Sequence, residues 1–163
     1  VVLGGRLRLF HHHWALLTKD AWVLSTIQGL RLDFLEPHRQ EHIPTPLCFS
    51  HQEMMLIDKE LQDLLIKGAI TQSSFLPEGF VSTVFLVQKR GGGYRLILNL
   101  KECNQWLVYR HFKMEGIHLL RDIFQEQDWM VRLDLKNAYL AVPIHPSSAN
   151  FSNFKGEGVG SGF

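Results

Sequence analysis

The chain predicts an α+β fold, and three observations predict it. Ser50-His51-Gln52-Glu53 has the pattern of a capping box and opens a segment with Met54, Ile57, Leu61, Leu64 and Leu65 on one helical face. Val84 to Leu100 reads as two short apolar strands around Lys89-Arg90-Gly91-Gly92-Gly93, a glycine-rich basic turn. Met130-Val131-Arg132-Leu133 is a third apolar run, which delivers Asp134 where a strand would end. A polar turn and Tyr139 follow, and a second short run, Leu140 to Ile144, closes on Pro143 and Pro146.

The remaining elements follow in chain order. Residues 6 to 18 (RLRLFHHHWALLT) place Leu9, Phe10, His13, Trp14 and Leu17 at helical spacing. Asp20 caps a second short helix that runs through Ile27 and stops at Gly29. Leu30 to Leu35 alternates as a strand does. Residues 36 to 49 carry Pro37, Pro44 and Pro46 and form an irregular connection, the expected boundary between an N-terminal extension (1–49) and the main domain (50–163). Lys67-Gly68 ends the capped helix, a cation near the last carbonyls and a glycine just after. A loop with Pro77 and Gly79 leads into the hairpin. Ile117 to Phe124 reads as a helix, and Asp128 turns the chain into the strand ending at Asp134. The tail from Lys155 is glycine-rich.

The 163 residues are enough for one domain with a core. Apolar content of 45% and charged content of 20% suit a globular protein. Net charge is only +1, so any polyanion surface must come from local clustering. Between Lys89 and Lys113, six cations face one acid, Glu102, a local charge of +5. Cys48 and Cys103 match neither a zinc spacing nor a disulfide framework, which points to a reducing, intracellular setting, cytoplasmic or nuclear. No apolar run approaches the roughly 18 residues that span a bilayer, and no secretory pattern opens the chain, so neither membrane nor secretion is expected.

Taken alone, the hairpin is either an exposed edge guarded by cations or a phosphate-binding device. Lys89 and Arg95 flank the tip, and glycines let a ligand come close to the backbone. A lone Asp134 is either a turn cap or a hard ligand for Mg²⁺. His11, His12 and His13 scatter over different helical faces and suggest no metal site. His145 reads as a surface residue, and Trp14, Trp22, Trp106 and Trp129 as core anchors. Trp106, near the basic segment, could also stack on a base.

FLVQKRGGGYRLILNLKECN resembles the fingers hairpin of reverse transcriptases, and LDLKNAYLAVPIHP resembles their first metal-binding motif, most closely in DIRS-like and gypsy-like retroelements. LIDKELQDLLIKGAITQS is similar to the helix and strand that precede the hairpin, and the resemblance runs from about Gln52 to Phe154. It implies a fingers subdomain plus a truncated palm of a right-hand polymerase. It implies that Lys89 and Arg95 contact the phosphates of an incoming deoxynucleotide. Asp134 and the backbone carbonyl of Leu135 would bind Mg²⁺, and Tyr139 would sit under the nucleotide sugar, disfavouring a 2′-hydroxyl. Asn104 falls on a motif asparagine; Asn99 and Asn137 stand where relatives often carry Asp. An RNA or DNA primer–template would be the partner.

The sequence contains no Tyr-x-Asp-Asp carboxylate pair and no Leu-Pro-Phe-Gly-like segment, both expected of that family. The resemblance therefore implies a piece of an RNA-directed DNA polymerase that stops before the second catalytic motif and is inactive alone, whose remaining segments lie outside this chain. Whether it is an enzyme in its own right stays open. The alternatives are a non-catalytic nucleic-acid-binding remnant and a degenerate product that exposes apolar surface.

Overall fold

A computed structural model describes residues 2–36, 40–45, 47–72, 79–111, 116–149 and 152–154. A 3₁₀ segment, Arg6–Phe10, runs into α1 (His11–Leu17), and α2 (Ala21–Gln28) follows. Then come α3 (His51–Ile66), β1 (Phe80–Ser82), β2 (Val84–Gln88), β3 (Tyr94–Leu98) and α4 (Lys101–Gln105). The last part holds α5 (Ile117–Ile123), a 3₁₀ turn at Ala138–Ala141, α6 (Pro146–Ala149) and β4 (Ser152–Phe154).

The best-built unit is α3 with the hairpin. Ser50 Oγ accepts from the Glu53 N–H at 3.3 Å, and Glu53 Oε2 accepts from the Ser50 N–H at 2.8 Å, completing the capping box. The helix ends in a Schellman arrangement: the Ala69 N–H donates to Leu64 O and the Gly68 N–H to Leu65 O, with Gly68 at φ 65°. Ile57 and Leu61 point from this helix onto Val84, and Phe49, Leu65, Ile70, Leu86, Leu96 and Leu98 close around them. The hairpin pairs antiparallel from Val84↔Leu98 to Gln88↔Tyr94. Opposed residues share a face, so Val84, Leu86, Leu96 and Leu98 all turn toward α3.

β1 and β4 form a second, two-stranded parallel sheet, with Phe80↔Ser152 and Ser82↔Phe154 in register. β1 is buried along its length and was not expected. Its outward backbone groups are met by a side chain: the Val81 N–H donates to Gln40 Oε1 at 2.7 Å, and Gln40 Nε2 donates to Val81 O at 2.9 Å. Gln40 Nε2 also reaches Glu102 Oε2. A carboxamide so placed stands in for a third strand and satisfies an edge that would otherwise bury unpaired groups.

The N-terminal segment is stitched to the rest by backbone. The Leu3 and Gly4 N–H groups donate to Lys67 O, the Gly5 N–H to Leu140 O, and the Leu35 N–H to Trp106 O. A Cβ on Gly4 would stand 1.8 Å from Gly68 O, so this contact admits only glycine. α2 forms as expected, with Asp20 Oδ1 accepting from the Trp22 and Val23 N–H groups.

Several expectations change. The helix expected over 6–18 splits into a 3₁₀ segment and α1, and Leu9 and Leu17 face outward rather than into a core. Leu30 to Leu35 makes only two isolated bridges, Leu30↔Ile144 and Phe34↔Leu107, instead of a strand. Trp22 and Trp129 are 64% and 98% exposed and anchor nothing, while Trp14 and Trp106 are half-buried. The strand expected to end at Asp134 does not form, and neither does a strand over Leu140 to Ile144, where the 3₁₀ turn stands. A strand needs a neighbour to take its N–H and C=O groups, and no described strand runs beside residues 128–135.

Candidate functional site

The hairpin tip is a compact cationic feature. The Lys89 N–H donates to Gly93 O at 3.0 Å and the Gly92 N–H to Lys89 O at 3.1 Å, closing the turn. Gly92 and Gly93 take φ values of 90° and 77°, a backbone that L side chains rarely adopt. Arg95 lies directly opposite Val87, on the face turned away from α3. A shallow pocket of about 350 Å³ opens there, lined by Val87, Gln88, Lys89, Arg90, Arg95 and Ile97. Three cations and no acid line it. Lys89 and Arg95 are exposed and make no ion pair with a described residue, so their charge is available to a ligand. Arg110, by contrast, is paired with Asp33, and Lys113 lies outside the described residues.

Asp134, Leu135 and Tyr139 are built differently. Gln125 and Asp128 close a turn: the Gln125 N–H donates to Asp128 Oδ2 at 2.9 Å, and Gln127 takes φ 76°. The chain then runs without regular structure through Leu135, exposed throughout. Asp134 has no hydrogen-bond partner among the described residues, and Tyr139 is 96% exposed. Asn137, at φ 57°, starts the 3₁₀ turn, and only Leu140 is tied down, through the Gly5 N–H. No hydrogen bond or ion pair among the described residues joins Lys89 or Arg95 to Asp134, Leu135 or Tyr139, and none of those three lines the hairpin pocket.

Among the described residues no three His, Cys, Asp or Glu side chains come together as metal ligands. One carboxylate and one backbone carbonyl do not fit a complete Mg²⁺ site, which needs near-octahedral oxygen ligation. Asn99 has a local role: its Oδ1 accepts from the Lys101 N–H and its own N–H donates to Thr83 O, joining β3 to α4. Asn104 sits exposed in α4. His145 is half-buried rather than a plain surface residue. Its Nδ1 lies 2.7 Å from Ser147 Oγ and its Nε2 3.2 Å from Arg31 Nη2.

Two features escaped the sequence reading. Gln40 lies in a proline-punctuated linker where nothing marks it as an edge cap. An apolar groove of about 820 Å³ lies between α5 and residues 129–132, lined by Ile117, Phe124, Trp129, Met130 and Val131 with Arg121 and Arg132. Its signal was the run taken for a buried strand. No helix among the described residues is long and apolar enough to cross a membrane.

No protein-family model matches the chain. Over 95 residues, 58% of its length, the chain is 26% identical to the Gag-Pol polyprotein of bovine immunodeficiency virus (strain R29), of which the shared stretch is 6%. Its fold is similar to that of prototype foamy virus protease-reverse transcriptase, with a TM-score of 0.61 and 20% identity over 81% of this chain and 17% of that one. Foamy viral protease-reverse transcriptase in complex with double-stranded DNA superposes with a TM-score of 0.59 and 17% identity, over 79% of this chain and 26% of that one. The chain thus spans a small part of the relatives it resembles. At these identities the structural likeness shows a shared mixed helix-and-sheet fold, and with the Gag-Pol similarity it supports a retroelement polymerase-related region.

Proposed function

We propose that this chain is the fingers and the first part of the palm of a retroelement reverse transcriptase, DIRS-like in its sequence motifs. Residues 50–163 would form that part and residues 1–49 an N-terminal extension to it, in an intracellular protein. The observation that carries the reading is the cationic face of the hairpin, Lys89, Arg90 and Arg95, which makes no ion pair with a described residue and belongs to a hairpin packed on α3. Phosphoryl transfer from a triphosphate needs fixed cations beside the phosphates, and this face supplies them. The DNA complexes of foamy viral relatives support a nucleic-acid partner, here a primer–template.

In the larger polymerase, Asp134 and the Leu135 carbonyl would be this chain's share of the Mg²⁺ ligands, and Tyr139 would lie under the sugar of a deoxynucleotide. Mg²⁺ bound there would supply charge neutralisation at the transferred phosphoryl group. Because the donors in this chain do not complete such a site, no step of the transfer is assigned to it. Its own contribution is to bind and orient.

The test is salt-dependent binding of the purified chain to a primer–template. Lys89→Ala with Arg95→Ala is expected to weaken it about tenfold and to make the logarithmic salt slope shallower by about 2. Unchanged binding would overturn the role of the hairpin. Primer extension by the chain alone, abolished by Asp134→Asn, would overturn the assignment of catalysis to the larger protein.

A further inference from the structure

The N-terminal helices carry a second cationic surface that the hairpin reading does not use. From Val2 through Lys19 there are three cations, Arg6, Arg8 and Lys19, and no acid. All three are exposed. The first acid, Asp20, is occupied in capping α2. The 3₁₀ segment, α1 and α2 pack on one another, so these cations belong to one small body.

Apolar and aromatic side chains lie among the charges. Leu9, His13 and Leu16 follow Arg6 at spacings of three or four, which makes one exposed stripe. The Arg6 guanidinium stands 5.7 Å from the centre of the Phe10 ring, and the His12 and His13 rings lie tilted at 50° with their centres 3.8 Å apart. Lys19 Nζ donates to Ala15 O at the end of α1, and the Trp22 ring stands exposed just beyond. Neighbouring leucines and rings left in water, beside cations that make no ion pair with a described residue, mark an interaction surface. A partner complementary to this surface is anionic and presents flat or apolar faces of its own.

We propose that residues 6–22 bind single-stranded nucleic acid, with Arg6, Arg8 and Lys19 on phosphates and Phe10 and Trp22 against bases. A single strand offers both halves of what the surface lacks: a line of negative charge and unpaired rings for aromatic side chains to stack on. An anionic bilayer fits less well. α1 is only seven residues long and carries no Arg or Lys; the cations flank it, in the 3₁₀ segment and after its end, so it has no long polar face opposite an apolar one. The inference does not rest on the polymerase reading, because it uses none of the hairpin residues.

The experiment is fluorescence anisotropy of the full chain with a labelled oligo(dT) of about a dozen nucleotides, across a salt series. Arg6→Gln, Arg8→Gln and Lys19→Gln together are expected to weaken binding about tenfold and to flatten the logarithmic salt slope by about 2, since single strands release fewer counterions per contact. Trp22→Ala is expected to weaken it about fivefold. The Lys89→Ala/Arg95→Ala chain should keep its oligo(dT) response to the N-terminal substitutions, which separates failure here from failure of the hairpin role. Unchanged oligonucleotide binding in the triple variant overturns the proposal. So does binding to phosphatidylserine vesicles that the triple variant loses while oligonucleotide binding persists. If the triple variant loses its cooperative thermal transition, Trp22→Ala decides: an unchanged oligo(dT) affinity, with tryptophan quenching by oligo(dT) equal to that of the intact chain, overturns it.

Discussion

The hairpin on α3 and the segment from Ile117 to Tyr139 are similar in apolar content and opposite in fate. In the first, Leu61 is 3% exposed and every strand residue from Val84 to Gln88 faces a partner on the returning strand. In the second, Leu133 is 83% exposed and the run from Met130 to Leu133 forms no ladder. The difference lies in where partners come from. The hairpin needs its own returning strand and one helix, both nearby in sequence. The acid-bearing run needs strands that the described residues do not include. A residue such as Asp134 is therefore positioned only by what packs beside it, whereas Lys89 and Arg95 are positioned by their own turn.

Substitutions can break this comparison. Leu61→Ala should cost about 2–5 kcal/mol, because it empties a packed site between α3 and β2. Leu133→Ala should change stability by no more than about 0.5 kcal/mol, because its side chain is already in water. Urea unfolding of both variants checks this, and equal losses would mean that residues 130–133 are buried in solution.

A smaller effect sharpens the same contrast at the start of α3. Ser50→Ala should cost about 1 kcal/mol through loss of the cap. The Ser50 N–H and hydroxyl hold the Glu53 carboxyl below its ordinary range. A folded pKa lowered in this way stabilises above the usual glutamate range, and the contribution fades as pH falls through the lowered folded value. Glu53→Gln should flatten that acid limb in thermal melts recorded from pH 7 to pH 3, and an unchanged limb would show that the box does not persist in solution.

The smallest perturbation is chemical. Burial, with the nearby Glu102 charge, raises the Cys103 thiol pKa, while Cys48 is exposed. A thiol reagent at neutral pH should modify Cys48 quickly and Cys103 only as fast as the α4 region opens. Equal rates for the two would mean that the unit around α4 is no better packed than the segment beyond it.

Much of the well-packed unit was legible in the sequence because its signals are local. Ser50 and Glu53, Lys67-Gly68 and the three glycines after Arg90 each state a backbone geometry within a few residues. The cationic tip was legible for the same reason. Gln40 was not, because an amide that completes β1 is recognisable only when Val81 stands before it. The run before Asp134 was read as a strand because it is apolar and short, and periodicity cannot say whether a neighbour is present. Leu9, Phe10, His13, Trp14 and Leu17 were read as one face of an amphipathic helix, and spacing marks a face but not which way it turns.

By itself the sequence determined the capped helix, the hairpin with its basic glycine tip, and the acid placed after an apolar run, since each depends on backbone preferences and side chains a few positions apart. Only the tertiary structure decided which apolar faces are covered, that β1 pairs with distant β4, and that Asp134 is not among the residues lining the pocket beside Lys89 and Arg95. Those outcomes depend on groups far apart in the chain competing for the same backbone and the same apolar surface, and burial is settled by that competition.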